Sequence, residues 1–182
     1  MNNTIASKYN QAIAAYQQKW AKLLPQASNQ KLFQDLRPTA VGWKVADLAE
    51  YNQTVAAWRE DTDQVHAKWM NGRWIAIIYL REGVHLEWGI RMLKILQRRP
   101  GSSDALGLDH IDFHSPQVAA AKTQLLTAEP NLKITDEANG SCKWLSVWFD
   151  GTEAKLRTGT SLGVCAAELL EAEREVIGGK PS

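Results

Sequence analysis

The order of predicted strands and helices occurs twice along this chain, and this repetition restricts the fold more than any other feature of the sequence. Each copy contains a strand, an amphipathic helix and three further strands. Each copy also has an Asn-Gly pair between two of its strands, at Asn71-Gly72 and at Asn139-Gly140. Asn-Gly between alternating apolar runs is a strong β-hairpin signal. Two βαβββ units in one chain indicate assembly about a pseudo-two-fold axis around a shared surface.

The first unit is predicted to span residues 38–100. Its opening strand is Thr39–Val45, and the following helix begins where Asp47 and Glu50 have the spacing of a capping box. The remaining strands of this unit are predicted at residues 64–69, 73–80 and 85–96.

The second unit is predicted to span residues 101–182 and repeats this order. Leu108–His114 is its opening strand. Ser115 is predicted to cap the next helix, and Pro116 to take the first helical position, where its missing N–H costs least. The remaining elements are predicted strands at 131–136, 142–149 and 152–157 and a final helix at 161–177.

A long amphipathic helix is predicted ahead of the two units, over residues 1–24, and a polar connector over residues 25–37. Apolar side chains recur in this helix at spacings of three and four. The predicted fold is therefore α+β: two βαβββ units form one pseudo-two-fold, curved mixed sheet around a cavity, preceded by the long helix. All of these elements are expected to belong to one globular domain.

Composition argues against several classes of function. The 182 residues carry a formal net charge of +1, so no bulk charge attracts nucleic acid or a membrane surface. No apolar run approaches the roughly 20 residues that span a bilayer, and the first residues lack the pattern of a secretory signal. Two cysteines without metal-finger spacing fit a reducing compartment. We therefore expect a cytoplasmic protein that binds neither nucleic acid nor membranes, as a monomer or a homodimer.

The stretch from Asp104 to Pro116 is the most chemically suggestive part of the sequence. Side chains alternate between the faces of a strand, so His110, Asp112 and His114 are predicted to share one face. Two imidazoles and a carboxylate in one row could form a metal or acid–base site, or a polar lining of a wet cleft. No glycine-rich phosphate loop or dinucleotide fingerprint occurs, so no nucleotide cofactor is expected.

Two short segments resemble the vicinal oxygen chelate superfamily, which includes glyoxalases, bleomycin-resistance proteins and extradiol dioxygenases. Leu108–Phe113 is similar to the LDHI motif that opens a unit there, and Phe149–Leu156 is similar to the closing hairpin. Asn71-Gly72-Arg73, together with the long N-terminal helix, is similar in layout to the YecM-type branch, which is regarded as metal-binding. The resemblance covers roughly residues 38–158.

The resemblance implies a divalent metal ion, such as zinc, manganese, nickel or iron, held by residues on the first and last strands of each unit. His110 is at the opening ligand position of the second unit, and Glu87 is the candidate from the first. Lys155 stands at the second unit's closing position, with Glu153 two residues earlier on the same face. The metal would act as a Lewis acid on adjacent substrate oxygens.

Three functions remain open from the sequence. The first is a divalent-metal-dependent enzyme of the lyase, isomerase or dioxygenase type, with His110 and Glu87 as metal ligands. The second is a non-catalytic protein that binds a small anionic or aromatic molecule in the cavity without metal. The third is an interaction protein whose N-terminal helix docks a partner. The candidate ligand-binding residues are Arg91, Asp112, His114, Trp144, Trp148, Glu153 and Lys155.

Overall fold

A computed structural model describes residues 3–23, 36–139, 142–149 and 151–157. Most of the predicted connector and the predicted helix at 161–177 lie outside the described residues. The helices are α1 (Asn3–Leu23), α2 (Leu48–Ala57) and α3 (Val118–Ala128). The strands are β1 (Arg37–Val45), β2 (Thr62–Met70), β3 (Arg73–Leu80), β4 (Met92–Gln97), β5 (Gly107–His114), β6 (Lys133–Asn139), β7 (Cys142–Phe149) and β8 (Thr152–Arg157).

The described strands form one eight-stranded sheet in the order β2-β3-β4-β1-β5-β8-β7-β6. The two units meet where β1 pairs antiparallel with β5, and each opening strand pairs parallel with the last strand of its own unit. The strand order of the second unit is thus the reverse of the first, as a two-fold axis between β1 and β5 requires. The predicted fold class is confirmed. The domain boundaries stay predictions.

The capping signals of the two inner helices have different outcomes. The Asp47 side chain accepts a hydrogen bond from the Glu50 amide at 2.9 Å, and the Glu50 carboxylate accepts one from the Ala46 amide at 2.7 Å. The predicted start of α3 is too early, because the Ser115 amide still donates to the Arg157 carbonyl at 2.8 Å and so continues the pairing of β5. The helix therefore begins only at Val118.

The predicted strand at 85–96 is wrong in its first half. Glu87–Gly89 forms a short 3₁₀ turn, in which Trp88 has φ 64° and Gly89 has φ 72°. Those left-handed conformations are incompatible with a strand. The Leu86 amide instead donates to the Ile90 carbonyl at 2.8 Å, and β4 starts at Met92. The alternation of polar and apolar residues continued through a turn and imitated a strand.

Helices cover one face of the sheet, and α1 lies over the seam between the two units. Tyr9 of α1 stacks on Trp43 of β1 with ring centroids 4.1 Å apart, and Trp20 stacks on Phe113 of β5 at 5.2 Å. The apolar stripe of α1 is buried in the core by these contacts, so that stripe is not available for docking a partner. No described helix combines the length and apolar character needed to cross a membrane.

Trp20→Ala is expected to lower the free energy of unfolding by about 3–5 kcal/mol, because it removes a fully buried indole from the seam. The control is Trp69→Ala, which removes an indole that is 51% exposed. Its expected cost is about 1 kcal/mol, mostly the contact with Trp74. Urea unfolding of both variants measures the difference. Equal losses would contradict a structural role for α1.

Candidate functional site

The sheet face opposite the helices is here called the open face. It carries a cluster of buried polar and charged groups. Alternate residues of the central strands β4, β5 and β8 point there, while their neighbours fill the core under the helices. The open-face members are Lys94, His110, Asp112, Glu153, Lys155 and Arg157. Of the predicted row on β5, His110 and Asp112 are buried, and His114 is half-buried at the strand's end.

Asp112 is the centre of this cluster and has no exposed surface. Its Oδ2 lies 2.7 Å from the Lys94 ammonium, and its Oδ1 accepts a hydrogen bond from Arg157 Nε at 3.1 Å. The Lys94 contact is an ion pair by distance, although it lies outside hydrogen-bond geometry. Burial would raise the pKa of Asp112, but Lys94 and the neighbouring positive groups hold that pKa well below its usual value. Asp112 is therefore a charged carboxylate in the folded chain.

His110 is oriented by the residue that precedes it. Its Nδ1 lies 2.9 Å from Asp109 Oδ2, and Lys44 holds the other oxygen of Asp109 at 2.6 Å. Burial lowers the pKa of His110, and the positive charge of Lys155 lowers it further. A neutral imidazole that donates from Nδ1 has its lone pair on Nε2. That Nε2 lies 3.7 Å from Asp112 Oδ2, and neither atom has a hydrogen-bond partner among the described residues.

Gly42 makes room for the His110 ring. The two residues are register partners across the seam of β1 and β5. A Cβ atom on Gly42 would lie 2.3 Å from the ring's Cε1 and 2.4 Å from Nδ1. The imidazole therefore lies across the bare backbone of β1, and this glycine is a structural requirement of the site.

The strand registers identify which residues are equivalent in the two units. His110 on β5 pairs with Glu153 on β8, and Gly42 on β1 pairs with Lys94 on β4. Because His110 and Gly42 also face each other across the two-fold seam, Lys94 is the counterpart of Glu153. In the same register, Lys155 is the cross-strand neighbour of Asp112, and Glu153 is the cross-strand neighbour of His110.

Two predicted site residues lie away from the cluster. Glu87 is in the 3₁₀ turn on the helix-covered side, where its amide donates to the Asn10 side chain of α1 at 2.9 Å. The structure does not bring Glu87 to His110. Arg91 is exposed at the start of β4, and its guanidinium donates to the Leu80 carbonyl at 3.1 Å.

A cavity of about 170 Å³ opens onto the cluster. It is lined by Met70, Asn71, Arg73, Ile75, Ile77, Lys94, Leu96, His110, Trp144, Lys155 and Arg157. Trp144 forms one wall, with Arg157 4.8 Å and Lys155 5.8 Å from its ring centroid. Trp148 is 39% exposed and pairs with Lys133 instead, so only one of the two predicted indoles lines the cavity.

A chain of hydrogen bonds on β7 and β8 holds the Trp144 wall in place. Trp144 Nε1 donates to Ser146 Oγ at 3.0 Å, and the Ser146 hydroxyl donates in turn to Glu153. The other oxygen of Glu153 lies 3.5 Å from the Lys155 ammonium. Glu153 thus contacts Ser146 and Lys155, and the described lining of the cavity contains no carboxylate.

Sequence reasoning missed Lys94, Gly42 and Arg73. The signal for Lys94 was present, since a single lysine interrupts the apolar run Met92–Leu96 on a strand that should be buried. A buried lysine requires a counter-charge. No comparable signal marks Gly42, whose importance depends on a partner 68 positions away in the chain, at His110.

The residues present do not fit a divalent metal ion. No group of three or more histidine, cysteine or carboxylate side chains within the described ranges could hold one. His110 Nε2 and Asp112 Oδ2 are two possible donors, but a mononuclear site needs three or four. The Lys94 ammonium already lies against Asp112, and Lys155 and Arg157 add positive charge that would repel a cation.

Comparison with known proteins supports the fold. The sequence matches no family model and no curated protein. The solved structure of a structural-genomics protein, EC4020, is similar with a TM-score of 0.68 and 17% identity, over 91% of this chain and 92% of that one. At this identity the likeness shows that the two chains share a fold, and it shows nothing about function.

Methylmalonyl-CoA epimerase structures are also similar. The complex with methylmalonyl-CoA and NH4+ has a TM-score of 0.47 at 17% identity, covering 69% of this chain and 95% of that chain. A Streptomyces coelicolor epimerase variant has 0.43 at 16% identity, covering 69% and 98%. Scores this low carry no argument about the function of this chain.

The folded chain is expected to lose stability in two stages as the pH falls. The pKa of His110 is lowered from 6.5 and that of Asp112 from 3.8, so the unfolded chain takes up each proton more readily than the folded one. The contribution of His110 to the free energy of unfolding is therefore present above pH 6.5 and is lost as the pH falls below 6.5. The contribution of Asp112 is lost as the pH falls below 3.8. Unfolding free energies between pH 8 and 3 should show a first decline that His110→Gln removes. His66→Gln, on an exposed strand, should keep it.

Gly42→Ala is expected to destabilise the protein by about 1–3 kcal/mol through overpacking against the His110 ring. In a His110→Ala background the ring is absent, so the same change should cost much less. A double-mutant cycle by chemical denaturation measures the coupling. If Gly42→Ala costs the same in both backgrounds, the ring does not lie where the structure has it.

Proposed function

We propose that this chain binds a small organic anion in the open-face cavity without a metal ion. One observation carries the proposal: four cationic side chains line the cavity, and none of the described lining residues is a carboxylate. Among the described residues, Asp112 pairs with Lys94 and Arg157, Glu153 lies beside Lys155, and the charges of Asp104 and Asp109 act on Arg73. These carboxylates are not part of the described cavity lining. An anion that enters the cavity would therefore meet several cations there.

The other half of the cavity favours a ligand with a carbon skeleton. Ile75, Ile77, Leu96 and the Trp144 ring supply apolar contact surface. A volume of about 170 Å³ is smaller than the pockets that hold drug-sized ligands. The best fit is a carboxylate or phosphate on a short aliphatic or single-ring body.

The predicted metal-dependent lyase, isomerase or dioxygenase has weaker support. Its ligands were His110 and Glu87, which lie on opposite sides of the sheet. A reaction without metal is compatible with the cavity, because a neutral imidazole and several cations lie side by side there. Membership of the YecM-type branch, the cytoplasmic location and the choice between monomer and homodimer stay predictions.

Benzoate is expected to bind and to change the fluorescence of Trp144, whereas its neutral isostere benzamide should not, because the cavity selects for negative charge. Phenyl phosphate tests whether a phosphate can replace the carboxylate, and acetate tests whether a carboxylate binds without the aromatic ring. At 100 times its dissociation constant a ligand should stabilise the fold by about 2.7 kcal/mol. Trp144→Phe should abolish the fluorescence change.

The matched control is Trp148→Phe, which alters an indole outside the cavity and should keep the fluorescence change. Added salt should weaken the binding, since the interaction is between charges. Equal binding of benzoate and benzamide, or no response to any of the three anions, would contradict the proposal.

A further inference from the structure

Two buried acceptor atoms face each other on the open face. His110 Nε2 and Asp112 Oδ2 are 3.7 Å apart and have no hydrogen-bond partner among the described residues. A zinc ion bonds such atoms at about 2.0–2.2 Å, so one cation could touch both. Two lone pairs at this separation repel each other unless positive charge lies beside them. In this chain the Lys94 ammonium lies 2.7 Å from Oδ2, and Lys155 and Arg157 add positive charge beside the same two groups.

The two-fold relation between the units gives Lys94 its significance. It occupies on β4 the position that Glu153 occupies on β8. A carboxylate at this position would add a third donor to His110 and Asp112. A lysine does the opposite, because it removes a donor and brings a fixed positive charge to the same place.

We infer that the Lys94 ammonium replaces a metal ion in this cavity and is the cation that binds the anionic oxygen of the ligand. The inference rests on the proposed anion-binding function and assigns it to one residue. An ammonium group carries three N–H donors. One side of Lys94 is held against Asp112, which fixes the ammonium at the floor of the cavity that Lys94 lines. A carboxylate or phosphate oxygen entering the cavity would bind the same ammonium, with Arg157 and Lys155 of β8 also lining the cavity.

The test is conversion of the site by single substitutions. Lys94→Glu and Lys94→His each replace the ammonium with a metal donor beside His110 and Asp112. Chelator-treated wild type and both variants are titrated at pH 8 with Zn²⁺, Mn²⁺ and Ni²⁺, following heat of binding and thermal unfolding. We expect no response in the wild type and specific binding of at least one ion in the variants. Adding His110→Ala to either variant should abolish it.

Two further variants keep the test decisive. The carboxylate introduced by Lys94→Glu would lie close to Asp112 and could weaken the metal-free fold, whereas the neutral imidazole introduced by Lys94→His avoids this repulsion. Lys122→Glu also places a carboxylate beside an aspartate, Asp136, but on the surface, and should gain no comparable metal binding.

The affinity for benzoate tests the second part of the inference. Lys94→Arg keeps the positive charge and should bind benzoate within a few-fold of the wild type, whereas Lys94→His should lose at least tenfold in affinity.

Three results would overturn the inference. The first is a wild type that binds one of the ions and loses this binding in His110→Ala, because metal and Lys94 would then coexist. The second is a folded Lys94→His variant that binds no metal. The third is a Lys94→His variant that binds benzoate as tightly as the wild type. A wild type that ignores all anions would defeat the proposed function, and the metal titrations would still decide whether Lys94 occupies a metal position.

Discussion

The structure depends on keeping the buried carboxylate of Asp112 charged. Asp112 belongs to β5 of the second unit, but its nearest cation, Lys94, comes from β4 of the first unit, and Arg157 comes from β8 on the other side. The ion pair between Lys94 and Asp112 therefore crosses the seam where the two units join. Loss of one of these cations would leave the buried carboxylate with weaker compensation, which is destabilising. The same contacts that hold the units together also give the cavity its positive lining.

The two faces of the sheet have different roles, since one packs against the helices and the other carries the charged groups of the cavity. Under the helices, apolar residues of β1 and β5 pack against α1, and the stacked pairs Tyr9 with Trp43 and Trp20 with Phe113 close the seam from that side. Burial of apolar surface there supplies the main driving force for folding. The open face is left to carry charges that contribute little net stability of their own. A ligand can exploit those charges because the core does not depend on them alone.

The sequence predicts the sheet well because its signals are local. Asn71-Gly72 fixes one hairpin, and Cys142–Phe149 and Thr152–Arg157 are strands with the predicted limits. It fails where a local signal is ambiguous, as between His85 and Gly89, where alternation continues through a turn with left-handed residues. Part of the candidate site can also be predicted from local sequence. His110 and Asp112 are two residues apart on one strand, so their side chains share a face of the sheet wherever that strand lies.

The remaining part of the site follows from register and therefore has no local signature. Gly42 matters because β1 and β5 pair so that it faces His110, and Lys94 matters because β4 then brings it to Asp112. A shift of one residue in the pairing of β1 with β4 would turn Lys94 into the helix-covered core and place Leu93 or Ile95 on the open face. The ion pair between Lys94 and Asp112 therefore favours the observed register. The same charged groups that suit this cavity to an anion thus help to select the strand alignment that forms it.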